Sequence, residues 1–175
     1  IAYSDIDFSV GFGTCGGLDK NMRVGDIIIC DSANGQWEGG KFRLGNSKEV
    51  KASKKVINSL KKACKELKIK YYEGKVFSVT DTFLEHVIIK KFSLVKKGFI
   101  GVDLENYALY ALAKQYKKET ASILVVSDLP IKGENIFNTK RSNIEREKLI
   151  KILYERFKIV SLALTYLIQD EKRTN

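Results

Sequence analysis

Residues 8–30 read FSVGFGTCGGLDKNMRVGDIIIC, and the fold turns on how they are read. The stretch lies between two short apolar runs, Asp7 to Phe12 and Asp26 to Cys30, each of a length that suits a buried strand. Between them Gly11, Gly13 and Gly16 follow the spacing G-x-G-x-x-G, and Asp31 lies twenty residues past Gly11. In a dinucleotide fold that spacing must open a helix whose N-terminus faces a pyrophosphate. Only Gly17 to Gly25 separate Gly16 from the next strand, and Gly17, Asn21 and Gly25 interrupt them. A crossover between parallel strands needs about a dozen residues, so a nicotinamide-binding unit does not fit. What remains is a strand ending in glycines. Its successive backbone N–H groups, with the Thr14 hydroxyl beside them, form a small nest for an anion; the alternative is a tight turn that needs glycine for its backbone angles.

Outward from this stretch, strands and helices alternate. Residues 33–46 carry four glycines and two asparagines and read as a loop. Ser47 to about Lys68 has apolar residues at helical spacing, with lysines on the other face. Lys70 to Val79 reads as a strand, and Thr80 to Phe83 as a turn before a helix running to about Lys96, with Gly98 as its C-cap. Phe99 to Val102 is a further strand, Glu105 to Lys117 a helix, and ASILVVS at Ala121–Ser127 a buried strand ended by Asp128 and Pro130. A long helix from about Lys140 to Gln169 closes the chain. The pattern predicts a single α/β domain over residues 1–175, with a central, largely parallel or mixed sheet and helices on both faces. In such sheets ligands collect at the C-terminal strand ends, where GFGTCGG, VDLEN and SDLP stand.

Composition narrows the function classes. The 175 residues carry 31 Lys and Arg against 21 Asp and Glu, a formal charge of +10. The lysines fall on solvated helix faces, and no basic cluster is interleaved with aromatics, so nucleic acid is not expected as a partner. Cys15, Cys30 and Cys64 are odd in number and widely spaced, as in a reducing cytosol and unlike a disulfide framework or a zinc site. His86 is the only histidine, so no metal is expected. The apolar run near Ile159 to Ile168 is too short to span a bilayer, and no membrane partner is expected. The chain starts at Ile1, not Met, and further sequence upstream is expected.

GTCGGLDKNMRVGDIII, GFIGVDLENYALYALA and ILVVSD, taken in order, resemble the purine nucleoside phosphorylase and uridine phosphorylase superfamily, and most nearly the bacterial hexameric purine nucleoside phosphorylases. The resemblance runs from about Phe8 into the last helix. It implies phosphorolysis of a purine nucleoside to free base and ribose 1-phosphate, with inorganic phosphate as co-substrate and no other cofactor. It also implies a cytoplasmic homo-oligomer, dimer-based and possibly hexameric in the manner of that family. Residue by residue, Gly13 and Thr14 match the phosphate-holding pair, and Cys15 and Gly16 complete that motif beside the substrate. Val102, Asp103, Leu104 and Glu105 match the segment under the ribose, where Glu105 takes the place of the carboxylate that grips the 2′- and 3′-hydroxyls. Phe83 matches the aromatic that stacks on the base. Ser127 and Asp128 match the pair whose acid stands near purine N7, and Arg141 the arginine that pairs with that acid as the site closes.

The chemistry needs such residues. Cleaving an N-glycosidic bond builds positive charge on the sugar and negative charge on the base, and an acid at N7 eases departure. An aspartate at the end of a buried strand can have its pKa raised towards that task. Paired hydroxyls call for an acceptor-only carboxylate. Without the resemblance, Asp128 could equally start a turn, Glu105 could favour a helix N-terminus, and Phe83 could be core.

Two departures keep other readings open. Gly11 stands where the family's phosphorylases carry a phosphate-clamping arginine, and the related nucleosidases, which use water, also lack it. The family's segment upstream of the glycine motif supplies a first strand, a further phosphate loop and residues for a neighbouring subunit's site. A nucleosidase and a non-catalytic nucleoside-binding or assembly paralogue are therefore the alternatives.

Overall fold

A computed structural model describes residues 6–35, 49–133 and 143–174. Strand β1 (Phe8–Gly17) is followed by β2 (Ile27–Gly35), β3 (Glu49–Lys51) and helix α1 (Lys54–Glu66). Then come β4 (Tyr72–Ser78), a 3-10 turn (Thr82–Leu84), α2 (Glu85–Lys91), β5 (Gly101–Asp103) and α3 (Asn106–Gln115). β6 (Glu119–Asp128), a second 3-10 turn (Pro130–Lys132) and α4 (Asn143–Thr174) complete the order.

The sheet is mixed, as expected, and runs β3-β2-β4-β5-β1-β6. β1 and β6, β2 and β4, and β4 and β5 pair in parallel; β1 and β5, β2 and β3, and β2 and β6 pair antiparallel. The β2–β6 pairing closes five of the strands into a ring, which alternation along the chain does not announce. β2 serves both neighbours, because Ile27–Cys30 pairs with β6 while Ile28–Gly35 pairs with β4. Tyr110 of α3 stands where β2 and β6 part. Its hydroxyl accepts the Ser122 N–H and donates to the Cys30 carbonyl, both at 2.8 Å, so the ladder ends without orphaned groups.

Several boundaries moved. The glycine motif lies inside a ten-residue strand and not after one. β2 extends through Gly35, into the stretch read as loop. The first helix begins at Lys54, not Ser47, because Glu49–Lys51 pairs with the edge of β2 with only Val50 turned inward. Three residues fit a period of two as readily as one of 3.6, and an open sheet edge decides between them. Ser53 then caps α1 by accepting the Val56 N–H. α2 stops at Lys91 instead of Lys96, where Ser93 takes a left-handed conformation, while Gly98 does have positive φ. α1 packs on α4, joining Val56, Leu60 and Ala63 to Ile159, Ala163 and Leu167 in the main core.

Candidate active site

β1 has β6 on one side from Phe8 to Gly16, but β5 reaches it on the other side only at Gly16 and Gly17. Beyond that pairing the chain leaves β5 through Asp103, Leu104 and Glu105 into α3, antiparallel to β1. Between β1 and this turn lies a cleft of about 500 Å³, bordered by Gly11–Gly16, Val102–Asn106, Ser127, Asp128 and Glu85. The volume is in the usual range for a small-molecule site, roughly 300–1,000 Å³. Of the residues expected from the sequence, Gly13, Thr14, Cys15, Gly16, Val102, Asp103, Leu104, Glu105, Ser127 and Asp128 all line it. Phe83 does not. It sits on the 3-10 turn beside Thr82, which lines the cleft, but is itself 73% exposed. Arg141 lies outside the described residues.

The glycine motif works differently from a nest of successive amides. In an extended strand consecutive N–H groups point to opposite edges, so half of them are committed to β6. The edge of β1 that faces away from β6 has no strand partner from Gly11 to Cys15 among the described strands. Alternate backbone groups of this edge, with Thr14, are what the strand offers a ligand.

Asp128 is buried at the end of β6. The ladder register shifts there: Cys15 pairs with Val126 and Gly16 with Asp128, so Ser127 is the extra residue of a bulge. Bulges re-aim side chains. Ser127 Oγ lies 2.6 Å from Asp128 Oδ1 and 3.2 Å from the Cys15 carbonyl, tying the acid to β1.

Asp103 was expected to contribute to the substrate set, yet both of its oxygens are engaged within the protein. Oδ1 accepts from Ser78 Oγ at 2.6 Å, and Oδ2 accepts from the Asn106 backbone and side chain and from the Glu105 N–H. Ser78 Oγ in turn accepts the Tyr107 N–H at 2.9 Å. Asp103 thus caps α3 and holds its first turn on β4, which fixes where Glu105 stands. Burial raises the pKa of Asp103, against the hydrogen bonds from Ser78 and Asn106 that lower it. Glu105 and Leu104 are exposed, at the mouth of the cleft. Burial and then the charge of Asp103 raise the Glu105 carboxyl above its ordinary value. Burial, followed by the charges of Asp103 and Asp128, raises the Cys15 thiol well above its ordinary value, which disfavours the thiolate.

Sequence reasoning missed Glu85, a buried acid on the first turn of α2 that lines the same cleft. Burial and then the nearby Asp128 push its carboxyl up to about 7. The only signal was a carboxylate directly after TDTFL, indistinguishable from an ordinary first-turn glutamate. Among the described residues no three histidine, cysteine or acidic side chains are grouped as a metal site needs. No described helix is long and apolar enough to cross a membrane.

The sequence profile of the Phosphorylase superfamily matches residues 9–157. The purine nucleoside phosphorylase DeoD-type of Bacillus velezensis is 28% identical over 131 residues, covering 74% of this chain and 56% of its own. That of Caldanaerobacter subterraneus is 32% identical over 127 residues, covering 71% and 54%. The chain therefore spans about half the length of these relatives. Among solved structures, the P. knowlesi homologue of P. falciparum PNP superposes with a TM-score of 0.68 at 22% identity, over 91% of this chain and 64% of that one. The AMP nucleosidase from Bacteroides thetaiotaomicron gives 0.64 at 19% identity, over 89% and 61%. At these identities the two structures speak for the fold alone.

Proposed function

From the premise that the chain belongs to the phosphorylase superfamily, we propose that it is a purine nucleoside phosphorylase-type pentosyltransferase, which transfers ribose from a purine base to inorganic phosphate. The observation that carries this reading is one cleft that gathers Thr14, Glu105 and Asp128 from sequence positions far apart. Glu105 accepts hydrogen bonds from the ribose hydroxyls, and Asp103 holds it in place. The free edge of β1 at Gly13 and Thr14 takes the phosphate. An oxygen of that phosphate bonds to C1′ as the bond to N9 breaks, and the electron pair stays with the base. Asp128 supplies the proton or hydrogen bond at N7 that makes the base a better leaving group. No cofactor is needed.

One observation favours a second reading, hydrolysis by water. A Cβ at Gly11 would lie 2.3 Å from Ser122 Oγ and 2.9 Å from Leu109 Cδ2, so no arginine clamp fits there in the present packing. Phosphate without that clamp loses a strong charge-assisted contact. Base release from inosine and adenosine, with and without phosphate, decides. Dependence on phosphate with ribose 1-phosphate as product supports phosphorolysis, equal rates with free ribose support the nucleosidase, and no release from either nucleoside defeats both. The reading further places the protein in the cytoplasm as a homo-oligomer. Its three cysteines are free and buried, which suits a reducing compartment, and light scattering tests the oligomer.

A further inference from the structure

Glu85 has no part in the scheme so far, yet its position is unusual. It opens α2, is only 8% exposed, and carries its carboxyl against Gly16. A Cβ on that glycine would stand 2.7 Å from Glu85 Oε1. Gly16 is also the ladder partner of Asp128. The Glu85 carboxyl thus occupies the space beside the residue that pairs with Asp128 in the ladder, and both acids line the cleft. No lysine or arginine pairs with Glu85 among the described residues. Among the described residues Glu85 alone lines both this cleft and a second one of about 760 Å³, whose walls also include His86, Lys90, Lys96 and Pro130. It therefore stands between the candidate active site and a separate opening to solvent.

We propose that Glu85 is the proton store of this site: it supplies the proton that Asp128 delivers to the departing base, and it is refilled through the second cleft. The proposal rests on the nucleoside-cleaving reading given above. As the C1′–N9 bond breaks, its electron pair goes to the purine and a proton passes from Asp128 to N7. Asp128 regains a proton from Glu85, and the ionised Glu85 takes one from water at the second cleft. The nucleophile, phosphate or water, releases one proton as its oxygen bonds to C1′, so the cycle balances. Two buried carboxyl groups that line one cleft oppose each other's ionisation, and burial together with Asp128 pushes Glu85 up to about 7.

Other titratable groups flank Glu85 among the described residues. Cys15 on β1, its thiol raised by burial, lies on the cleft side with the acids Asp103 on β5 and Glu105 at the start of α3. Lys132, on the turn after β6, donates its Nζ to the Met22 carbonyl at 3.2 Å. Asp81 caps the turn before α2, and His86, Lys90 and Lys91 on α2 and Lys96 beyond it are further charged or titratable groups among the described residues, with His86, Lys90 and Lys96 on the second cleft.

The test combines a titration with kinetics on the whole protein. Carbon-13 labelling of glutamate carboxyls, with Glu85→Gln to assign the signal, should show Glu85 titrating near neutrality in the parent and lower in Asp128→Asn. In the parent, kcat on inosine or adenosine should fall as pH rises through that titration. Glu85→Gln should lack this limb and turn over roughly ten- to a hundredfold more slowly, with KM little changed. A nitrophenyl riboside, whose leaving group needs no proton, should be cleaved alike by both. Should Glu85→Gln fail to fold by circular dichroism, Glu85→Asp, with its carboxyl drawn back by one methylene, should still lower both the titration and kcat. Titration among the ordinary glutamates, at about 4 to 5, overturns the proposal. So does a Glu85→Gln protein with parental kcat and pH profile. A parent that cleaves no purine nucleoside marks failure of the functional reading, and the delivery step falls with it.

Discussion

Gly11 of β1 faces Ser122 of β6 in the parallel ladder, and the serine hydroxyl fills the space a side chain on Gly11 would need. Ser122 Oγ is buried there, close to the Tyr110 hydroxyl that accepts the Ser122 N–H. Gly11→Ala should cost about 1–3 kcal/mol by overpacking, and adding Ser122→Gly should recover most of it. Urea unfolding of the two single variants and the double variant measures the coupling; additive losses would mean the contact is not the cause. In the phosphorolytic reading, Gly11→Arg should tighten phosphate only when Ser122 is also made small.

Asp128→Asn should remove most of the leaving-group assistance, a loss of roughly a hundred- to ten-thousand-fold. The loss should fall on kcat, because the interaction strengthens as charge develops on the base. Arg141→Ala should reproduce the loss only in part, since the resemblance has it act through the acid. Near-parental kcat for Asp128→Asn would make Asp128 a turn residue.

Glu85 also sets a direction for stability against pH. Its folded value, about 7, lies above the ordinary carboxylate value, so the folded state binds more protons than the unfolded state between about 4.5 and 7. Its contribution to stability therefore falls as pH rises through that window and is least favourable above it. Glu85→Gln, which cannot ionise, should gain on the order of 2 kcal/mol relative to the parent at pH 8 and little at pH 5. Thermal unfolding at the two pH values checks this; an equal effect at both would assign the change to packing.

Lys68 and Lys117 hold positive φ just past the ends of α1 and α3, where glycine is usual. In each case the following N–H closes back on the helix, Ile69 to the Cys64 carbonyl and Lys118 to that of Ala113, both at 2.8 Å. The conformation is built into the cap. Lys68→Gly and Lys117→Gly should each stabilise by about 0.5–1 kcal/mol, read as a shift in unfolding midpoint. Destabilisation would show that the lysine side chains contribute more than the strain.

What residue order alone reveals of this protein is local and chemical. The apolar run ASILVVS can only be a buried strand, and the spacing of Val56, Ile57, Leu60, Ala63 and Cys64 can only bury one helix face, because alternation and the 3.6-residue period are properties of neighbours along the chain. The blocks around Thr14, Glu105 and Asp128 likewise named most of the residues that line the cleft. Tertiary structure decided everything that depends on remote pairing. The glycine motif became strand because β6 offered Phe8–Gly16 a parallel ladder, and β2 outgrew its predicted end because β3 and β4 paired with it. Closure of the ring required Ile27–Cys30 to meet Ser122–Val125, nearly a hundred residues away, and no local pattern encodes that meeting. Asp103 turned inward because Ser78 and Asn106 were there to bind it, and Phe83 stayed outside the cleft. Glu85 gained its interest only when folding buried it beside Asp128 and Gly16. A carboxylate's chemistry is set by the dielectric and charges around it, and those come from residues the sequence holds far apart.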